Sequence, residues 1–212
     1  MWRVLLIFII INQGSLKMIK LPEPDRGGKR RLEEVINERR SIREYADSPL
    51  TIKEVSQLLW AVQGITSPDG KRAAPSAGAT YPMEIYIIVG TVEGLETGVY
   101  HYLPHKHSLE LTIKGDLREE IYKASLWQEM LLEAPLTIVI AAEYERTTRR
   151  YGKRGIRYVH MEAGHIGQNI YLEATALGLG TVAVGAFDDQ KVKNTLKIQE
   201  EPLYLYPVGR RK

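Results

Sequence analysis

The sequence predicts a single α+β domain over residues 18–212, and three observations support this prediction. The apolar runs at residues 84–89 and 136–142 are short and continuous, which is typical of strands buried on both faces of a sheet. Residues 100–111 alternate around a proline-containing turn, as in a β-hairpin. Amphipathic helical patterns lie between these segments, and a chain of 212 residues that is 44% hydrophobic can bury one substantial core.

Two helices are predicted before the first buried strand. Leu32, Val35 and Ile36 recur at helical spacing and predict a helix that ends near a cluster of arginines. Thr51 and Glu54 form a capping-box pattern, which predicts that a second helix begins there and ends at the next glycine.

A loop and a hairpin occupy the middle of the chain. Glycines and prolines bound residues 67–82, which are therefore predicted to form a loop that leads into the first buried strand. A helix is predicted from about Leu117, after the hairpin. His101, His105 and His107 fall in the hairpin region without an evident carboxylate partner, so we expect them to face solvent and predict no metal site.

The longest helical pattern covers residues 157–179 and is expected to be the central element of the core. Small residues recur along its apolar stripe, which allows close helix approach and suggests a contribution to a dimer seam. His165, Gln168 and Asn169 also lie on this helix, and we expect them to make buried hydrogen bonds rather than to act in catalysis. The stripe consists of Ala163, Ile166, Gly167, Ile170, Ala174 and Leu177.

The last predicted elements are a short strand at residues 181–184, a helix capped by Asp188, and a strand at residues 203–208. Gly178-Leu179-Gly180 follows a helix and precedes a strand, which is the reverse of the order in a dinucleotide-binding fold. No Walker A pattern or G-x-S-x-G elbow is present, so Ser76 is not a candidate hydrolase nucleophile.

The composition excludes several kinds of chemistry. Because the chain has no cysteine, a disulfide framework, thiolate catalysis and a cysteine-ligated metal or iron–sulfur site are all excluded, and redox chemistry requires a bound cofactor. The formal net charge of +3 suits small anionic ligands. A nucleic-acid binder built on the basic residues 26–31 and 210–212 is an alternative, but aromatic interleaving and a recognition motif are both absent.

Residues 1–17 are interpreted separately from the domain. The apolar run at residues 4–11 follows Arg3 and resembles the core of a signal segment, but it is too short to span a bilayer and lacks a small-residue cleavage site. Met18 begins a stretch that resembles the start of a cytoplasmic protein, so residues 1–17 are read as an upstream extension. We expect a cytoplasmic protein without stable membrane insertion, and an exported form is the alternative.

The strongest functional signal lies immediately after the first predicted helix. Arg39, Arg40 and Arg43 place three guanidinium groups beside the hydroxyl of Ser41. Guanidinium forks match phosphate oxygens, and a phosphate or several carboxylates would offset the mutual repulsion of such a cluster. The cluster therefore predicts an anion site, and a solvated basic helix end is the alternative.

Five segments follow one another along the chain: Arg39-Arg40-Ser41-Ile42-Arg43, Pro75-Ser76-Ala77-Gly78-Ala79-Thr80-Tyr81-Pro82, Gly164-His165-Ile166-Gly167-Gln168-Asn169 with Ala176-Leu177-Gly178-Leu179-Gly180, Gly185-Ala186-Phe187-Asp188, and Pro207-Val208-Gly209-Arg210. In this order they resemble the nitroreductase superfamily of flavin mononucleotide (FMN) enzymes, from roughly Leu32 to the C-terminus. The second segment and the run from Tyr151 to His165 are most similar to the SagB/ThcOx-like azoline dehydrogenase branch and its orphan relatives. The resemblance implies a nitroreductase-like fold, with a central mixed or antiparallel sheet flanked by helices, in a domain-intertwined homodimer.

The resemblance also implies an FMN site at the subunit interface. Arg39, Arg40 and Ser41 would hold the phosphate and ribityl chain, and Arg43 would lie against the N1 and O2 edge of the ring. A cation at that edge stabilises the reduced flavin anion and raises the reduction potential. The backbone of Gly185-Ala186 would approach N5, where small side chains allow close contact.

Further contacts are implied from the second subunit and from the C-terminus. Ser76, Ala77, Gly78 and Gln128 match family positions that reach the flavin from the partner subunit. Arg210 or Arg211 would add a phosphate contact, and a solvated basic tail is the alternative for each.

The implied function is that of an FMN-dependent oxidoreductase with a ping-pong cycle. NAD(P)H would pass hydride to flavin N5, and a quinone, nitroaromatic or free flavin would then accept it. No residue is assigned as a catalytic acid or base, because the flavin carries the chemistry. The alternatives are an azoline-type dehydrogenase in peptide modification and a flavin-binding protein without turnover. The lysine–tyrosine pair of the azoline branch appears here as Arg150-Tyr151, and arginine exchanges a proton poorly, although Tyr151 can still contact substrate.

Overall fold

The structure is a computed structural model that describes residues 17–212, so the predicted extension lies outside the described residues except for Lys17. Among residues 17–212, no helix is both long enough and apolar enough to cross a lipid bilayer. The strands are β1 (Met18–Lys20), β2 (Leu50–Thr51), β3 (Met83–Val89), β4 (Val92–Glu93), β5 (Gly98–Leu103), β6 (Ser108–Lys114), β7 (Leu136–Ala142), β8 (Leu179–Thr181) and β9 (Glu201–Arg210). The helices are α1 (Leu32–Glu38), α2 (Ile52–Gln63), α3 (Arg118–Ala124), α4 (Met130–Glu133), α5 (Glu145–Tyr151), α6 (Arg154–Ala176) and α7 (Asp189–Leu196).

A seven-stranded sheet organises the described residues, with the strand order β1-β6-β5-β3-β7-β9-β8. Every neighbouring pair in it is antiparallel, and a separate parallel pair joins β2 to β4. All seven residues of β7 are buried, because helices cover both faces of the sheet at its centre. The predicted α+β fold, with an antiparallel sheet flanked by helices, is confirmed.

Helices α2 and α6 pack on one face of the sheet, and α3, α4 and α7 pack on the other. The predicted capping box begins α2, since the Thr51 hydroxyl accepts from the backbone of Glu54 and the Glu54 carboxylate accepts from the backbone of Thr51. Five of the six residues of the predicted stripe are buried on α6, and Leu177, directly after the helix, is partly buried. A Cβ on Gly167 would lie 2.1 Å from the Tyr206 hydroxyl oxygen, so glycine is required where α6 crosses β9.

The end of α6 differs from the prediction. The helix covers Arg154–Ala176 rather than residues 157–179, because Gly178 takes a left-handed φ of 73° and turns the chain into the sheet. The following strand is therefore Leu179–Thr181 instead of residues 181–184, and Val184 only forms an isolated bridge to β9.

Several polar side chains are placed differently from the prediction. His165 and Gln168 are exposed in the single chain, and only Asn169 makes the expected partly buried hydrogen bond, to the carbonyl of Ala61 at 2.9 Å. The expectation that the hairpin histidines face solvent is wrong for His101, whose Nε2 lies 2.6 Å from a Glu84 carboxylate oxygen.

His107 also departs from the expectation, because its ring is partly buried between Ser56 and Tyr102. In the described part of the chain, no group of three or more histidine, aspartate or glutamate side chains is arranged to hold a metal ion.

Candidate functional site

The arginine cluster lies beside β8, the edge strand of the sheet. The chain after α1 pairs with this strand through a bridge between Ser41 and Thr181. The Ser41 hydroxyl lies 2.9 Å from the hydroxyl of Tyr171 on α6, and the Arg39 guanidinium carbon lies 5.0 Å from the centre of the Tyr171 ring. The Tyr171 hydroxyl also accepts from the backbone of Ala183 at 2.9 Å. Tyr171 therefore holds the arginine segment against the strand.

The two C-terminal arginines have different surroundings. Arg210 donates to both carboxylate oxygens of Glu54 at 3.1 Å and to the carbonyl of Pro49, so its guanidinium is committed to a structural role. Arg211 donates through Nε to the carbonyl of Leu179 at 2.9 Å, which places it beside β8. Of the two alternatives for a phosphate contact, the surroundings favour Arg211.

The arginines around β8 have no carboxylate at ion-pair distance among the described residues. Among residues 17–212, the side chains of Arg39, Arg40, Arg43 and Arg211 form no ion pair with a carboxylate within 4.0 Å. Arg40 is exposed, and its guanidinium donates to the backbone carbonyls of Asn37 and Arg39. A group of guanidiniums without acidic partners favours anion binding over a surface network of ion pairs.

The loop at residues 75–82 has a constrained backbone. Gly78, Ala79 and Tyr81 take left-handed φ angles of 59°, 54° and 44°, which are uncommon for residues with a side chain. The Ser76 hydroxyl accepts from the backbone of Tyr81 at 2.9 Å and closes the loop. Such a strained loop persists only when its surroundings hold it in place.

Arg150 and Tyr151 supply part of that support. Arg150 donates to the carbonyl of Gly78 at 3.2 Å. A Cβ on Gly78 would lie 2.5 Å from the Tyr151 hydroxyl oxygen, so the phenol lies directly against the loop. The Arg150-Tyr151 pair, which stands where the azoline branch has lysine and tyrosine, is thus adjacent to the Ser76-Ala77-Gly78 segment.

A buried acid lies behind the same loop. Glu162 on α6 is 2% exposed, and this burial raises the pKa of its carboxyl to about 7. The Ser76 and Gln63 side chains and the positive charge of Arg72 oppose the shift without cancelling it.

A third group of predicted residues lies at the turn after β8. Gly185 and Ala186 are exposed, and a Cβ on Gly185 would make only ordinary contact, at 3.4 Å, with the Tyr204 ring. Gln128 donates to the carbonyl of Ala186 at 2.8 Å within the same chain. The structure therefore groups Gln128 with Ala186 of its own subunit, whereas the sequence expectation grouped it with Ser76 of the partner.

The single chain does not bring all predicted residues together. The Ser76 loop contacts α6 at His165, whose Nδ1 lies 3.4 Å from the Pro75 carbonyl oxygen, whereas the Arg39 group contacts the helix at Tyr171, six residues further along. At 1.5 Å per residue the two contacts are about 9 Å apart along the helix axis. A cavity of about 680 Å³ between residues 22–35, α2 and α6 includes none of the predicted cofactor contacts.

Sequence reasoning missed two residues that organise these groups. Tyr171 carried no signal, because an aromatic residue on a long helix is usually part of the core. Glu162 could have been found from the helical spacing, since it falls three residues after Val159 and four before Ile166 on the apolar face of α6. A carboxylate at a core position of an amphipathic helix is rarely accidental.

Comparison with known proteins gives consistent results. Residues 36–210 match the family described as "Nitroreductase family". The chain is 51% identical over 198 residues to MJ1384 of Methanocaldococcus jannaschii, a protein named as a nitroreductase, and the match covers 93% of this chain and 98% of that protein. It is 27% identical over 202 residues to the microcin B17-processing protein McbC of Escherichia coli, covering 91% and 71% of the two chains.

A solved structure from Ralstonia eutropha, described as a nitroreductase, superimposes with a TM-score of 0.82 at 30% identity and covers 94% of this chain and 92% of that one. The predicted resemblance to the superfamily is confirmed, and the similarity to McbC supports the predicted branch. This chain belongs to the nitroreductase family.

Proposed function

We propose that the protein is an FMN-dependent oxidoreductase that passes hydride from NAD(P)H to a small organic acceptor. Membership of the nitroreductase family supports oxidoreductase chemistry in general. The observation that carries the FMN assignment is the set of guanidinium groups around β8 that have no carboxylate partner among residues 17–212. A phosphate with two negative charges compensates such a set through charge-assisted hydrogen bonds.

The residues of this chain fit the parts of FMN. Arg39, Ser41 and Arg211 are the proposed phosphate and ribityl contacts, because all three are anchored beside β8. Arg43, which is exposed on the same segment, is proposed to lie at the N1 and O2 edge of the ring. When bound, FMN supplies a ring nitrogen, N5, that accepts and donates hydride.

The turn at Gly185-Ala186 is proposed to lie against the reactive edge of the ring. Both residues are exposed and small, so they leave a flat surface for the ring and a substrate. Gln128 fixes the Ala186 carbonyl and so holds the turn.

The loop at Ser76-Ala77-Gly78 is proposed to complete the site from a second copy of the chain. Within one chain this loop meets α6 at His165 and the Arg39 segment meets it at Tyr171, and this separation supports the arrangement. We therefore propose a homodimer with FMN at its interface. A cytoplasmic location is proposed as well. Quinones, nitroaromatics and free flavins are the proposed acceptors.

An azoline-type dehydrogenase is the second candidate, because the chain is similar to the microcin-processing protein McbC. Arg150 argues against a proton-exchange role at that position, since its guanidinium donates to the Gly78 carbonyl and arginine is a poor substitute for a lysine that must exchange a proton. Tyr151 remains available as a substrate contact beside the loop.

Anaerobic reduction tests the proposal directly. The purified protein, reconstituted with FMN, is mixed with NADH or NADPH in a stopped-flow instrument, and bleaching of the flavin absorbance is followed. Bleaching with either donor, and reoxidation by menadione or a nitroaromatic, is the expected result. A protein that binds no FMN contradicts the proposal, and one that binds FMN but bleaches with neither donor is a flavin-binding protein without this turnover.

A further inference from the structure

The junction of α5 and α6 carries a basic patch that the site described above does not use. Residues 149–157 contain five basic side chains and no acidic one. Four of the five are exposed in the single chain and form no ion pair with a carboxylate within 4.0 Å among residues 17–212. These four are Arg150, Lys153, Arg154 and Arg157, and we call them the basic corner. The fifth, Arg149, pairs with Glu145 at 2.8 Å.

The basic corner is unfavourable for the fold where it lies. Lys153 and Arg157 are four residues apart at the start of α6, and Arg154 and Arg157 are three apart, so like charges occupy neighbouring positions on the helix surface. The first turn of α6 holds no acidic residue, so the same cations also oppose the positive end of the helix dipole. A solvated surface gains nothing from this arrangement, whereas a bound anion would offset it.

Two tyrosines hold the arginines of the corner in place. The guanidinium carbon of Arg150 lies 5.4 Å from the centre of the Tyr151 ring, and that of Arg154 lies 5.8 Å from the centre of the Tyr158 ring. The two rings meet edge to face, with 5.1 Å between their centres. A guanidinium over an aromatic ring keeps its charge and its N–H donors, so the corner combines phosphate-binding groups with aromatic surface.

The basic corner adjoins the loop at residues 75–82. Arg150 donates to the Gly78 carbonyl at 3.2 Å, and the Tyr151 hydroxyl lies against the same glycine. The function proposed above places this loop at the flavin of a second copy of the chain. The basic corner would then lie at the edge of that site, where the electron donor enters.

The chemistry of the corner suits a small ligand that has several phosphate groups and a base. Guanidinium and ammonium groups bind phosphate oxygens through charge-assisted hydrogen bonds, and aromatic surface between cations suits a nucleotide base. Arg154 and Arg157 are only about 4.5 Å apart along the helix axis, whereas proteins bind a nucleic-acid strand over several nucleotides. A dinucleotide electron donor has the required chemistry, and NADPH carries one phosphate group more than NADH.

We propose that the basic corner binds the phosphate groups of NADPH, including its 2′-phosphate, and so makes the protein prefer NADPH to NADH as hydride donor. The preference for a donor rests on the function proposed above, whereas phosphate binding at the corner does not. Arg154 and Arg157 are the residues that determine this specificity, because the charges of both are uncompensated by carboxylates among residues 17–212.

Isothermal titration with adenosine 2′,5′-bisphosphate tests the corner without the flavin reaction. This probe carries the 2′-phosphate of NADPH, and 5′-AMP is the same molecule without it. Wild-type protein, with and without FMN, should bind the bisphosphate about tenfold more tightly than 5′-AMP. Arg154→Gln and Arg157→Gln should each weaken bisphosphate binding by about tenfold. Arg149→Gln is the matched control and should bind as wild type, because Arg149 is exposed in the same run but paired with Glu145.

Thermal unfolding of the ligand-free variant separates ligand binding from a structural role. Because Arg157→Gln removes repulsion between like charges and an unfavourable charge near the helix dipole, it should unfold at the same temperature as wild type or a higher one. A lower unfolding temperature would assign the corner to folding. Dissociation of the variant into monomers, where wild type is a dimer, would show that a second copy neutralises the corner. Either result overturns the proposal.

Donor preference is then measured in the FMN-loaded protein. Anaerobic stopped-flow mixing gives the concentration of each nicotinamide at which the flavin bleaches at half its limiting rate. Wild type should need about tenfold less NADPH than NADH, and Arg157→Gln should lose this preference. Arg149→Gln should keep it.

The outcomes separate the failure of this inference from that of the proposed function. Equal affinity of wild type for the two probes, bisphosphate affinity unchanged in Arg157→Gln, or tighter binding of a short single-stranded oligonucleotide than of the bisphosphate overturns the inference. Bisphosphate binding without a preference for NADPH overturns it as well. If the protein binds no FMN, or bleaches with neither donor, the proposed function fails, and the titration with bisphosphate still decides whether the corner binds phosphate.

Discussion

Glu162 is a buried acid, and ionisation of its carboxyl should destabilise the folded state. Its carboxyl has an ordinary pKa of 4.5 when the chain is unfolded and one of about 7 when buried, so the folded state binds the proton more tightly. Wild-type stability should therefore fall as pH rises from about 4.5 to about 7 and stay low above that range. Glu162→Gln cannot ionise and should be more stable than wild type at pH 8 by about 2 to 3 kcal/mol, with little difference at pH 4.5.

Urea unfolding at both pH values checks this prediction. Glu93→Gln, at an exposed position on β4, is the control and should follow the wild-type pH profile. Equal wild-type and Glu162→Gln stability at pH 8 would show that the carboxyl is not held in an unfavourable charged state.

The Arg39 guanidinium lies over the ring of Tyr171 beside β8, so its removal should weaken FMN binding directly. A charge-assisted hydrogen bond contributes about 1.5 to 3 kcal/mol, which predicts a dissociation constant raised by about 10-fold to 150-fold in Arg39→Ala. Isothermal titration with FMN measures the change. Arg149→Ala removes an exposed arginine that pairs with Glu145, and it should leave the affinity unchanged. Equal affinity of Arg39→Ala and wild type would remove Arg39 from the site.

At the scale of elements, two of the three glycines of α6, at positions 164 and 167, give a matched pair of substitutions. Gly167→Ala would place a methyl group 2.1 Å from the hydroxyl of Tyr206, whose ring is 3% exposed, and should destabilise the fold by about 1 to 3 kcal/mol. Gly164 has no atom within 4 Å of an added Cβ, so Gly164→Ala should stabilise the helix by about 0.5 to 1 kcal/mol. Thermal unfolding of both variants tests the packing of α6 on β9. A similar change in unfolding temperature for both variants would show that helix propensity alone, and not contact with Tyr206, determines the effect on stability.

The elements that could be predicted are those whose signals are local. The capping box at Thr51 and the buried strand at residues 136–142 depend on neighbouring residues and on apolar continuity, and both are confirmed. The predicted start of β8 was wrong, because the left-handed turn at Gly178 depends on how the chain enters the sheet. A helical pattern cannot distinguish its last turn from a following buried strand.

The candidate site was harder to predict from the sequence, because most of its contacts join residues that are far apart in the chain. The arginine cluster is contiguous and was evident, and its lack of carboxylate partners among the described residues agrees with the predicted anion site. Glu162 and Ser76 are 86 positions apart, and Tyr171 meets Ser41 only because α6 crosses the end of the sheet. Contacts of this kind depend on tertiary packing, and no local pattern encodes them.

At the scale of the whole molecule, the separation of the Arg39 and Ser76 groups along α6 predicts that each FMN site draws on two chains. A mixed dimer tests this. Arg39→Ala and Ala77→Trp homodimers should each bind FMN poorly, since one loses a phosphate contact and the other obstructs the loop. If the two groups come from different subunits, a heterodimer of these variants has one site with both defects and one intact site. Refolding the variants together, with different affinity tags to isolate the heterodimer, should therefore restore about half of the wild-type FMN stoichiometry at wild-type affinity. If Arg39 and Ala77 instead serve the same site within one chain, each chain of the heterodimer carries a defect, and no tight site appears.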